Sequence, residues 1–135
     1  MHTIHFYFDF SLSAARHIFE ELPARLLGAS YAVHYVPLGD HAAARAAWEK
    51  AGALGTPSRY VCERLFAGET PTAPPGADAS HAEQRQQRAE AAARAAGVQR
   101  LPALIVGGQV FAAPLDWGVL RVVLETAENP DTHAK

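Results

Sequence analysis

Residues 3–10 read TIHFYFDF. Ile4, Phe6, Phe8 and Phe10 fall on one side of an extended chain; His5, Tyr7 and Asp9 fall on the other. A strict period of two, rich in aromatics, predicts a β-strand. Both sides are largely apolar, so the strand is expected at the centre of a sheet that is covered above and below. The period then changes. Ala15, Ile18, Phe19, Leu22 and Leu26 recur at helical spacing, which predicts a helix over 13–27. Ser11 or Ser13 is its expected N-cap, Pro23 is expected to kink it or end its regular part, and Gly28 is its expected stop. A second alternating run, YAVHYVP at 31–37, completes strand–helix–strand. The two strands are expected to be parallel, joined by a right-handed crossover.

Downstream, Asp40 is expected to cap a helix over 41–51. Thr56-Pro57 reads as N-cap and first helical residue of another, carrying Tyr60, Val61, Leu65 and Phe66 and stopping at Gly68. Residues 69–80, ETPTAPPGADAS, predict an exposed loop. Ser80-His81-Ala82-Glu83 fits a capping box for a helix over 81–96, whose apolar side is Ala82, Ala89, Ala92, Ala93 and Ala96. Its arginines, Arg85, Arg88 and Arg94, alternate with Glu83 and Glu90 and read as a solvated face. Leu101–Val106 and Gln109–Ala112 predict a β-hairpin turned by Gly107-Gly108. A last helix over 115–127 turns Leu120, Val123, Leu124 and Ala127 inward. The order β-α-β, helices, β-hairpin, α predicts an α/β sandwich on a four-stranded mixed sheet, with residues 1–135 as a single domain and a helical insertion at about 41–80.

With 135 residues the chain is too short for separate cofactor and substrate domains. Twelve Lys and Arg face 14 Asp and Glu, a net charge of -2, which argues against a nucleic-acid partner. One cysteine, Cys62, excludes an intramolecular disulfide and a multi-cysteine metal site. No apolar run approaches the ~18 residues of a membrane span, and none is preceded by the basic residues of a secretory signal. The expectation is a cytoplasmic protein without a membrane partner, although a signal peptide removed before residue 1 would leave no trace in this chain. Of the seven histidines, His5 and His34 fall on strands expected to be neighbours, but no third metal ligand accompanies them, and no metal is expected.

The segment FYFDFSLSAARHIFEELPARL (6–26) resembles the opening of the DsbA-like branch of the thioredoxin superfamily. That branch includes glutathione-dependent 2-hydroxychromene-2-carboxylate isomerases and kappa-class glutathione transferases. Asp9-Phe10, Leu22-Pro23, the tyrosine-rich second strand and Pro37-Leu38-Gly39 carry the likeness. So does GVQRLPALIVGG (97–108), which looks like the superfamily's helix end, cis-proline, strand and glycine turn. DsbC- and DsbG-type domains share the same elements. The resemblance covers about residues 3–40 and 97–127. It implies a thioredoxin-like fold with strand order 2-1-3-4 and a cis bond between Leu101 and Pro102.

In redox-active relatives a Cys-x-x-Cys stands where the first strand turns into the first helix, because the positive helix end stabilises a thiolate. The resemblance puts those two positions on Leu12 and Ala15, so the dithiol is absent. The serine of the isomerases and transferases is also absent from its aligned position, which is Leu12. Ser11 and Ser13 stand beside it as candidate catalytic hydroxyls. Leu12, Arg16, Leu101 and Pro102 are the expected lining of a ligand groove. Three functions follow. One is a redox-inactive DsbA-family protein with a groove for a small thiol or anionic ligand. Another is a glutathione-dependent isomerase or transferase using Ser11 or Ser13. The third is a non-catalytic peptide- or protein-interaction module. No cofactor is required, glutathione is a candidate ligand, and a homodimer is compatible with the resemblance.

Overall fold

The structure is a computed structural model that describes residues 2–39, 42–51, 55–71 and 79–126. Four strands, β1 (His2–Phe8), β2 (Tyr31–Pro37), β3 (Ala103–Val106) and β4 (Gln109–Ala112), form one sheet in the order β2-β1-β3-β4. β1 is central. It pairs in parallel with β2 and antiparallel with β3. Ile4, Phe6 and Phe8 point to one face, where α1 (Ser13–Arg25), α3 (Arg59–Phe66) and α5 (Trp117–Thr126) cover them. Tyr7, Val36 and Ile105 point to the other, under α2 (Ala42–Glu49) and α4 (Ala82–Ala95). The result is three layers around two apolar cores, which is why both sides of β1 read as hydrophobic. No helix of the described residues is long and apolar enough to cross a membrane.

Element boundaries differ from the sequence expectation where a local hydrogen bond overrides the pattern. β1 stops at Phe8, not at residue 10. The Asp9 carboxylate accepts hydrogen bonds from the backbone N–H of Ser11 (2.8 Å) and from its hydroxyl (2.7 Å), turning the chain out of the sheet. The cap of α3 is Ser58, whose hydroxyl accepts from the N–H of Val61 (3.3 Å); Thr56-Pro57 lies just outside the helix. The expected capping box before α4 is replaced by a 3-10 turn over Ala79–His81, and the cap position is His81, whose side chain does not cap the helix. Asp40, Ala127 and most of the 69–80 loop lie outside the described residues.

Pro23 does not end α1, which runs on to Arg25. A proline there lacks the N–H that would bond the carbonyl four residues back, at Phe19. That carbonyl finds a different partner. Arg59, the first residue of α3, donates from Nη2 to the Phe19 oxygen (3.0 Å) and from Nη1 to the Tyr35 hydroxyl (3.0 Å). Its guanidinium also sits 4.1 Å from the centroid of the Phe19 ring, within cation–π range. One side chain thus ties α3 to α1 and to β2. Phe66, at the other end of α3, packs against Phe8, Phe10 and Phe19 at ring separations of 5.5, 4.7 and 4.9 Å.

On the opposite face, Trp48 of α2 donates its indole N–H to the Pro37 carbonyl at the end of β2 (2.8 Å, buried). Gln86 of α4 donates to the Gly39 carbonyl (2.7 Å). Gly107 and Gly108 both take positive φ (57° and 79°), which a two-residue hairpin turn requires. Trp48→Phe keeps most of the ring's packing and deletes the indole donor, leaving a buried carbonyl unpaired. It is expected to cost about 1–3 kcal/mol of unfolding free energy, measured by urea titration with far-ultraviolet circular dichroism.

Candidate functional site

The turn from β1 into α1 occupies Asp9 to Leu12. Phe10 is held in it by its ring contacts with Phe8 (5.1 Å) and Phe66. The Leu12 N–H closes the turn on the Asp9 carbonyl (3.1 Å). Leu12 is the residue at the cap position of α1, and no side chain caps the helix; this corrects the expectation of a serine cap. Ser11 has its hydroxyl committed to Asp9 instead, and Ser13 is the first helical residue. The N–H groups of Ala15 and Arg16 turn back to the Leu12 carbonyl. Those of Ser13 and Ala14 find no acceptor among the described residues. The first turn holds no acidic residue, so the positive end of the helix is open.

Ser11, Leu12, Ser13 and Arg16 are all exposed around this helix end, Leu12 at 38%. Arg16 pairs with Glu20 one turn on (3.8 Å) and lines a cavity of about 260 Å3 with Phe19, Arg59, Glu63 and Phe66. Pro102 is buried at the start of β3. The pairing of Tyr7 with Ala103 sets it beside the end of β1 that leads into this turn. The Leu101–Pro102 peptide bond is cis, as is Ala113–Pro114, and the Pro102 carbonyl accepts from the Ala113 N–H (3.3 Å). The Leu101 side chain turns toward α4. There it lines a separate cavity of about 360 Å3 with Leu38, Gly39, Arg94 and Arg100. By strand register the expected groove residues fall toward one end of the sheet, but Arg16 and Leu101 open onto two different cavities.

Cys62 is fully buried on α3, in the core that also holds Phe19, Leu22 and Tyr35. Burial pushes its thiol far above the ordinary cysteine range, and the nearby Arg59 offsets this only in part. The thiol stays neutral at any physiological pH. Among the described residues, no group of three His, Cys, Asp or Glu side chains converges as a metal site would need.

Two features escaped the sequence pattern. Arg59 showed no periodicity or motif, although the carbonyl orphaned by Pro23 implies that some donor must reach Phe19. Arg85 is half-buried and donates to the Trp48 carbonyl (3.3 Å), so the arginines of α4 are not all on a solvated face.

No family model matches the chain, and no curated protein matches it in sequence. Solved structures do match in shape. A periplasmic thioredoxin-like protein from Salmonella enterica serovar Typhimurium superimposes with a TM-score of 0.60 at 18% identity, over 93% of this chain and 83% of that one. ScsC of Proteus mirabilis, in a transitional conformation, gives 0.60 at 15% identity, over 93% and 67%. The catalytic domain of the same ScsC gives 0.58 at 12% identity, over 93% and 82%. With the strand order, these likenesses establish that the chain has a thioredoxin-like fold.

Proposed function

We propose that the chain is a DsbA-like thioredoxin-fold protein without thiol–disulfide exchange, which keeps a place for a small thiol or anionic ligand where β1 enters α1. The observation that carries this reading is a contrast. The helix end that activates a thiol in this fold is open, uncapped and free of acidic residues, yet it holds Leu12. The sole thiol, Cys62, is sealed in the core. Exchange within one chain needs two thiols that cycle with one disulfide, and attack needs an accessible thiolate. Neither condition is met. The open amides of Ser13 and Ala14 and the positive helix end still favour a negative group, and Arg16 stands one turn in.

The glutathione-dependent alternative rests on Ser13. The Ser11 hydroxyl already gives its proton to Asp9, whereas that of Ser13 has no hydrogen-bond partner among the described residues. A hydroxyl that can donate is what a bound thiolate needs.

The native protein is expected to release no chromophore from a thiol-reactive aromatic disulfide and to react at its single cysteine once unfolded in guanidinium. It is expected not to accelerate insulin reduction by dithiothreitol. Turnover that survives Cys62→Ser would overturn the reading. Glutathione is expected to shift the backbone amide resonances of Ser13 and Ala14. Leu12→Asp supplies the missing carboxylate cap, so it is expected to raise stability by about 0.5–2 kcal/mol and to abolish those shifts. Glutathione transfer to an electrophile that is lost in Ser13→Ala would establish the alternative instead.

A further inference from the structure

The α2–α4 face of the sheet carries a second cavity, of about 420 Å3, away from the β1–α1 turn. His5 of β1 and His34 of β2 are direct register partners in its wall, their rings edge-on at 5.2 Å. Arg85 and Arg88, three residues apart on α4, line it from above. Tyr7, Val36 and Trp48 supply its apolar part, and Gly55, Thr56 and Ala89 close the rim. The Trp48 ring is fixed by its hydrogen bond to Pro37, so this wall is preformed.

The charged side chains that line it among the described residues are all basic. Among the described residues, two guanidiniums and two imidazoles line the cavity and no carboxylate does. Arg85 spends one N–H on the Trp48 carbonyl. Arg88 is exposed and has no ion-pair partner among the described residues. Among the described residues, the neighbours of His5 offer it no negative partner: His34 on β2, Tyr7 on its own strand, Ile105 as its register partner on β3, Trp48 on α2, and Arg85 and Arg88 on α4. A metal cation would meet two imidazoles and two fixed positive charges, which disfavours it. An anion would meet donors on both the sheet side, from His5 and His34, and the α4 side, from Arg88.

We propose that this cavity is a binding site for a small aromatic anion, with a phosphate or carboxylate held by Arg85, Arg88, His5 and His34 and a planar body laid against Trp48 and Tyr7. The volume lies in the range of small-molecule pockets, roughly 300–1,000 Å3. The bidentate geometry of guanidinium suits both oxyanions. Protonation of His5 is linked to occupancy. In the free protein, burial and the facing His34 hold His5 below the ordinary histidine range. A bound anion stabilises the imidazolium, so binding raises the proton affinity of His5 and strengthens as the pH falls toward 6 or so.

The test uses phenyl phosphate as probe, with inorganic phosphate, phenol and zinc ions in parallel. The histidine ring resonances are read by NMR, assigned through His5→Gln and His34→Gln. Phenyl phosphate is expected to shift the His5 and His34 rings and to move the His5 titration to higher pH. Arg88→Gln, a surface change that leaves the fold intact, is expected to weaken binding about tenfold or more. The proposal is overturned if phenyl phosphate leaves both rings unmoved, or if Arg88→Gln binds it as tightly as the parent. It is equally overturned if phenol binds as well as phenyl phosphate, if zinc alone perturbs the pair, or if inorganic phosphate matches the aromatic probe.

Discussion

The carbonyl of Phe19 is the constraint from which much of this structure follows. Pro23 removes its helical partner, and a carbonyl left unpaired in a buried layer costs about 1–3 kcal/mol. Arg59 resolves it from another helix, and in doing so fixes where that helix lies. The same guanidinium reaches the Tyr35 hydroxyl and covers the Phe19 ring, so β2, α1 and α3 share one anchor. The aromatic contacts of Phe66 then continue from α3 to the β1–α1 turn. A defect in one helix becomes the attachment point of the insertion.

That attachment bears directly on the proposed function. Cys62 lies one turn beyond Arg59 and points into the core that the insertion closes. Held there, its thiol is neutral and out of reach. Across the same layer, the end of α1 that would activate a thiol carries an exposed leucine. The fold thus keeps thiol and activating helix end apart.

Much of the architecture was legible in the sequence because its signals are periodic. TIHFYFDF reads as a strand with two apolar faces, which gave its central place; the full strand order came from the resemblance to thioredoxin-like proteins. Gly107-Gly108 marked the hairpin for a steric reason. The ends of elements were less legible, since they depend on single hydrogen bonds. Asp9 ends β1 by capturing Ser11, and Ser58 rather than Thr56 caps α3. The candidate site was legible only as a location. Ser11, Leu12, Ser13 and Arg16 do cluster at the helix end, but the commitment of Ser11 to Asp9 and the turn of Leu101 toward α4 depend on tertiary geometry. The paired histidines were visible as neighbours; the arginines that complete their cavity were not, because charge alternation along α4 resembles a surface.

The most direct measurement of the central claim is the rate at which native Cys62 is alkylated by iodoacetamide in the parent, Arg59→Met, Pro23→Ala and the double variant. If Arg59 holds α3 closed over the thiol, Arg59→Met speeds labelling by roughly ten- to a hundredfold, the equivalent of losing about 1.5–3 kcal/mol of charge-assisted hydrogen bonding. The acceleration is smaller in the Pro23→Ala background, where the Phe19 carbonyl regains a helical N–H. Labelling of Arg59→Met at the parent rate, or an identical acceleration in both backgrounds, would contradict the account.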